Sequence, residues 1–309
     1  MEHEVLDEAC NRIAAEFTAL AGAEALAAPP PPNPLYHYTS TDGLLGILAS
    51  GELWATNVLY LNDSAELADA ITVLDSALED SESWKLHDLV RFMLRSMTGH
   101  LREMPLDYFV VCFCEEGDLL NQWRAYGSRG AGYSVGFDAG ALSGVAAIKK
   151  VEYDPTKKKE IITQRVAVVR SILESISGKL QPSSDDDYRQ LLSFLNRIAA
   201  NFAPTLASMK HPTFKQEQEW RLVVMQSALP DPGGQNRLPI RFRNIEGRLV
   251  PYVALRLTPQ TAETVTSISE VRYGPASNPK LTEKALLDLL REHKCLSTKV
   301  NGSEVPLRA

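Results

Sequence analysis

Leu6, Ala9, Ile13, Phe17 and Leu20 recur at three- to four-residue intervals, which predicts an amphipathic helix over about residues 3–27. Pro29 to Pro32, followed by Asn33-Pro34, end it and form a stiff connector. The first 28 residues therefore read as a helical appendage, packed on the main body or on a partner and tied on by a linker at 29–34. Beyond it, Leu35 to Ser40 is strand-like and Thr41 to Ala49 is a short helix, with Thr41 or Asp42 as cap and Gly51 as its stop. Glu52 to Thr56 and Val58 to Leu61 read as short strands about a bend at Asn57. Asn62-Asp63-Ser64 then supplies caps for a helix to about Ala77, and Glu66 stands three residues after Asp63 as in a capping box.

A helix from Trp84 to Glu103 precedes a β-rich block: strands at Asp107 to Cys114, Gly132 to Asp138 and Val145 to Tyr153, with a short helix at Asp118 to Tyr126. After Pro155 the periodicity is helical to about Met209, broken near Gly178 to Ser184. Strands resume at Glu219 to Gln226, Arg237 to Arg243, Leu249 to Leu257 and Ile268 to Tyr273. A helix at Leu281 to Lys294 and a strand at Ser303 to Leu307 close the chain. The class is α+β, with one domain over 35–309 and a helical insertion at about 155–210.

Composition narrows the function classes. With 44% hydrophobic and 23% charged residues among 309, the chain can bury a sizeable core. No apolar run approaches the roughly 20 residues that cross a bilayer, and the acidic start Met1-Glu2-His3-Glu4 has no signal-peptide pattern, so a cytoplasmic protein without membrane partners is expected. Cys10, Cys112, Cys114 and Cys295 are too scattered for a disulfide framework. Without a second ligand pair at zinc spacing, they suggest no metal site. A net charge of −7 argues against whole-surface binding to nucleic acid. A local basic groove at Arg237, Arg241, Arg243 and Arg248 stays open beside the plainer reading of a solvated hairpin.

Two remote segments carry candidate chemistry. In Tyr36-His37-Tyr38-Thr39-Ser40, an imidazole and a hydroxyl two residues apart share one face of a strand. In Glu217-Gln218-Glu219-Trp220-Arg221-Leu222, two carboxylates stand where a loop enters an apolar strand. A carboxylate there can accept a hydrogen bond from a ribose hydroxyl and stabilise positive charge developing on a sugar ring. Each has a plain alternative: an exposed edge pair for the glutamates, a hydrogen-bonded core residue for His37. Tyr60 either stacks on a flat ring or packs in the core. The glycine-rich run Gly127-Ser128-Arg129-Gly130-Ala131-Gly132 either shapes a pocket or merely connects.

Together these pieces resemble the ADP-ribosyltransferase superfamily, in the branch with diphtheria-toxin-like enzymes and the poly(ADP-ribose) polymerases. His37-Tyr38-Thr39 with Ile47-Leu48-Ala49-Ser50-Gly51 is similar to its first element. Leu59-Tyr60-Leu61-Asn62-Asp63 is similar to its second, and Glu219-Trp220-Arg221-Leu222-Val223 to its third. More narrowly, the chain resembles a bacterial family of unknown function with Y-H-Y-T-S, L-N-D, C-F, G-F-D and E-W-R-L motifs, matched at Tyr36, Leu61, Cys112, Gly136 and Glu219.

The resemblance implies a split β-sheet core and an NAD-dependent ADP-ribosyltransferase that modifies a macromolecular acceptor, in a toxin or phage-defence role. It implies NAD as substrate, bound by His37, Thr39, Tyr60 and Asn62. Glu219 would stabilise the oxocarbenium and Glu217 would orient the acceptor. Three alternatives remain. One is an NAD glycohydrolase. Another is a non-catalytic binding module on the same fold, with assembly through the N-terminal helix. The third, an RNA 2′-phosphotransferase relative, fits the acidic Glu217–Glu219 pair less well.

Overall fold

A computed structural model describes residues 3–61, 65–79, 84–103, 108–126, 132–180, 183–225, 238–257, 267–275 and 278–306. The fold is mixed α and β, with an N-terminal helix and an open mixed sheet. The chain divides into two compact units, each assembled from three stretches: 1–29, 58–108 and 152–212 in one; 30–57, 109–151 and 213–309 in the other. The sequence reading has a helix at 1–28, a linker at 29–34 and one domain over 35–309.

The first unit is helical: α1 (His3–Ala27), α3 (Ala65–Glu79), α4 (Asp88–Glu103), α7 (Pro155–Ser175) and α8 (Asp185–Leu206). The stripe Leu6, Ala9, Ile13 and Phe17 on α1 is buried against α7 and α8. Phe17 meets Phe202 edge to face at 5.0 Å, and Arg165 grips both oxygens of Glu24 at 2.7 and 2.9 Å. The N-terminal helix is thus an integral wall of this unit, because its apolar stripe is spent inside it. Asp154 caps α7 ahead of Pro155, and Ser184 with Asp187 forms a capping box on α8. No described helix is long and apolar enough to cross a membrane.

The second unit holds the sheet. Its strands are β1 (Leu35–Thr39), β2 (Glu52–Asn57), β3 (Tyr108–Cys114, of which all but Tyr108 falls in this unit), β4 (Tyr133–Phe137), β5 (Ala147–Lys150), β6 (Glu219–Met225), β7 (Arg241–Ile245), β8 (Arg248–Arg256), β9 (Ile268–Tyr273) and β10 (Lys299–Gly302). The order is β10-β9-β4-β1-β3-β2-β8-β7; β6 pairs with β3 and β5. The β9–β10 ladder is parallel, whereas the other registered ladders are antiparallel. Strand β3 is the pivot: β2 registers at its beginning (Asn57 with Phe109) and β1 at its end (Tyr36 with Cys114).

One continuous core joins Leu35, Phe113, Val135, Trp220, Leu222, Val253 and Val271 from six strands. Residues from α2 (Thr41–Ser50), α6 (Ala139–Ser143) and α9 (Pro279–Glu292) join it. A smaller cluster packs Tyr38, Cys114 and Trp123, the last from α5 (Leu120–Tyr126).

Local expectations fail in instructive places. Ser40, not Thr41 or Asp42, caps α2, its hydroxyl accepting from the Gly43 amide, while Gly51 ends the helix at φ 64° as expected. Val58–Tyr60 is a 3₁₀ turn, not a strand, since a short apolar run has no period that selects strand over turn. The last strand lies at Lys299–Gly302, ahead of the expected Ser303 to Leu307, because its parallel ladder with β9 ends at Gly302–Tyr273. The expected Asp63 cap lies outside the described residues.

Candidate functional site

His37 occupies the middle of β1, on the same side as Leu35 and opposite Val135 in the ladder to β4. That side faces the main core, and the ring lies 5.8 Å from Phe113. Its Nδ1 is 2.9 Å from the Cys112 carbonyl oxygen. A carbonyl only accepts, so Nδ1 must carry the proton and the neutral ring presents a bare Nε2 as an acceptor. Burial holds the imidazole below its ordinary value; the bond to Cys112 works the other way, and the positive charge of Arg243 adds to the depression.

The folded protein therefore keeps His37 neutral at pH 7. On acidification the unfolded chain takes up this proton first, near pH 6.5, so His37 costs the fold stability as pH falls from there through the folded value. NMR titration should place His37 below pH 6.5, and Arg243→Gln should move it upward. An unchanged midpoint would mean that the arginine charge does not reach the ring.

Thr39 follows on the same face of β1 as His37. The α carbon of Gly43, in the first turn of α2, lies so close that an added Cβ would stand 1.9 Å from the Thr39 hydroxyl oxygen. Gly43→Ala must swing that hydroxyl away, and should cost about 1–3 kcal/mol of stability, read as a lower urea midpoint.

The glutamate pair occupies two different environments. Glu217 ends a 3₁₀ turn, Pro212–Glu217, and is half-buried. Gln218 follows at φ 44°, in the left-handed region that non-glycine residues rarely adopt. Glu219 then opens β6 with 2% of its surface exposed. Arg221 takes both its oxygens, Nε at 2.6 Å from one and Nη2 at 3.2 Å from the other. Alternation along β6 sends Trp220 and Leu222 into the main core and Glu219 and Arg221 to the other side. The core-facing side of β1 bears the imidazole, and the opposite side of β6 bears this carboxylate. The fold does not pair them directly.

On the core side, Trp220 donates its indole N–H to Glu115 at 2.9 Å, and Lys150 binds the same oxygen at 2.8 Å. Burial works against the Glu115 charge, but these two donors still hold its carboxyl below the ordinary value.

Tyr60 belongs to the helical unit, where it closes the 3₁₀ turn with 48% of its surface exposed. Asn62 lies outside the described residues, as does Arg237 of the basic group. Arg241, Arg243 and Arg248 share one side of the β7–β8 hairpin, by the register of Arg241 with Tyr252, Arg243 with Val250 and Ile245 with Arg248. Arg241 bonds Glu52 at 3.3 Å. Arg243 donates to the Thr56 hydroxyl at 2.7 Å and lies 5.8 and 5.9 Å from the Trp54 and Tyr252 ring centres.

Sequence reasoning missed Arg221 as the partner of Glu219. The signal was there: opposite charges at i and i+2 of a strand share a face. It also missed Tyr252, which the β7–β8 hairpin sets beside Arg243, and Thr56 and Trp54, which only the pairing of β2 with β8 brings there.

Residues 122–222 match the model of a family described as a protein of unknown function, DUF2971. The matched segment runs from α5 to β6 and includes Gly136-Phe137-Asp138 and Glu219-Trp220-Arg221-Leu222. It passes through helices α7 and α8, and the Tyr36 and Leu61 motifs fall before it. No curated protein and no solved structure matches the chain.

Proposed function

We propose that this protein cleaves the nicotinamide–ribose bond of NAD and transfers ADP-ribose to a macromolecular acceptor. The observation that carries the reading is the left-handed Gln218 between two glutamates. A non-glycine residue held there costs on the order of 1–3 kcal/mol, and such strain gathers at functional sites. Here it separates a half-buried Glu217 from a Glu219 fixed by Arg221.

In this reading the bond between ribose C1′ and the pyridinium nitrogen breaks, and its electron pair neutralises the departing nicotinamide. Glu217 stabilises the oxocarbenium left at C1′. The acceptor nucleophile then bonds to C1′ and gives its proton to the Glu217 carboxylate. His37, neutral and accepting through Nε2, takes a ribose hydroxyl, and Thr39 adds a second polar contact. Glu219 acts as a positioning residue that anchors the start of β6, two residues after Glu217. This reverses the roles that the family resemblance implies, because a carboxylate already held on both oxygens and 2% exposed is poorly placed to meet a sugar.

The same buried pair favours a second reading, a non-catalytic nucleotide-binding module. NAD labelled in its adenylate half separates the two. Nicotinamide release with label moving to a lysate acceptor supports transfer, and release without transfer supports a glycohydrolase. Calorimetric binding with no release supports the module and rejects the enzyme.

A further inference from the structure

Arg243 is a cation held at the sheet with no anion paired to it among the described residues. The guanidinium lies over the Trp54 and Tyr252 rings, which stack on one another at 4.5 Å and 26°. Of its five N–H donors, one goes to the Thr56 hydroxyl, and its Nε is buried with no hydrogen-bond partner. No carboxylate pairs with it among the described residues, whereas its neighbour Arg241 binds Glu52. Desolvation alone pushes its ionisation below the ordinary value, yet an arginine does not lose its proton at working pH. A partly desolvated charge with neither counter-ion nor full hydrogen bonding is costly. Arg241 and Arg248 add positive charge to the same side of the hairpin, on a chain whose net charge is −7.

We infer that Arg243 is a phosphate subsite, taking the pyrophosphate of a dinucleotide with Thr56 as its rigid brace. The identity of the ligand rests on the NAD reading above; the presence of an oxyanion site does not. A guanidinium laid on aromatic rings is oriented before the ligand arrives, which favours bidentate capture of phosphoryl oxygens. Trp54 beside it is 39% exposed, which leaves a flat aromatic surface for a base.

Isothermal titration of the full chain with ADP-ribose, inorganic pyrophosphate and nicotinamide riboside tests this, using the parent, Arg243→Gln and Arg243→Lys. ADP-ribose and pyrophosphate should lose at least about tenfold in affinity on Arg243→Gln, with part of that regained in Arg243→Lys. Nicotinamide riboside, which has no pyrophosphate, should show no comparable loss of affinity on Arg243→Gln. Raising the salt concentration should weaken the phosphate ligands in the parent more than in Arg243→Gln. Unchanged binding of ADP-ribose and pyrophosphate by Arg243→Gln overturns the subsite, as does their failure to bind the parent at all. If both bind in an Arg243-dependent way while NAD is never cleaved, the subsite stands and the transferase reading falls.

Discussion

Glu217→Gln should slow nicotinamide release from NAD by roughly 100- to 1000-fold with little change in KM, as expected when a charge that acts only on the transition state is removed. The substitution keeps the side chain's size and leaves the Glu219–Arg221 pair in place. Thermal unfolding should show the variant still folded, so that the lost rate is read apart from any lost stability. Glu219→Gln separates the two carboxylates. If Glu219 positions β6, the loss of its charge should lower stability and activity together, with the residual activity keeping the parent's KM. A Glu219→Gln enzyme that folds like the parent but is dead, beside an active Glu217→Gln, would give the catalytic role back to Glu219.

The second large effect is on stability. Arg221→Met should destabilise the sheet unit by about 3–5 kcal/mol, because it strands the buried Glu219 carboxylate without its counter-charge. Both side chains are only 3% exposed, so water cannot take over the lost bonds. Removing both charges, as in Glu219→Leu with Arg221→Met, should restore most of the loss, since an apolar pair of similar volume is commonly as stable as a buried ion pair. Urea unfolding followed by tryptophan fluorescence would read both variants, with Trp220 next to the pair. A double variant no better than Arg221→Met would show that Arg221 serves through contacts other than its charge.

Much of the architecture could be read along the chain wherever local chemistry and burial agree. Pro155 behind Asp154 starts α7, Ser184 with Asp187 starts α8, and Gly51 stops α2. These signals act within a few residues, so position in sequence is enough. The strands at Ile268–Tyr273 and Glu219–Met225 also fall where their apolar content puts them. Reading failed where the deciding partner lies far away. Val58–Tyr60 curls into a 3₁₀ turn despite its strand-like residues.

The candidate site divides in the same way. That His37 and Thr39 share a face, and that Glu217 and Glu219 flank the entry to an apolar strand, follows from the period of the strand and the order of residues. That the imidazole donates to Cys112, that Arg221 claims Glu219, and that Arg243 crosses β8 to reach Thr56 follow from which strands lie side by side. Residue order determines which groups a strand presents and to which side. The environment of each group, and therefore its charge, its hydrogen bonds and its reach, is decided by neighbours far off in sequence, as Thr56 is 187 positions from Arg243, and only the folded sheet brings them within bonding distance.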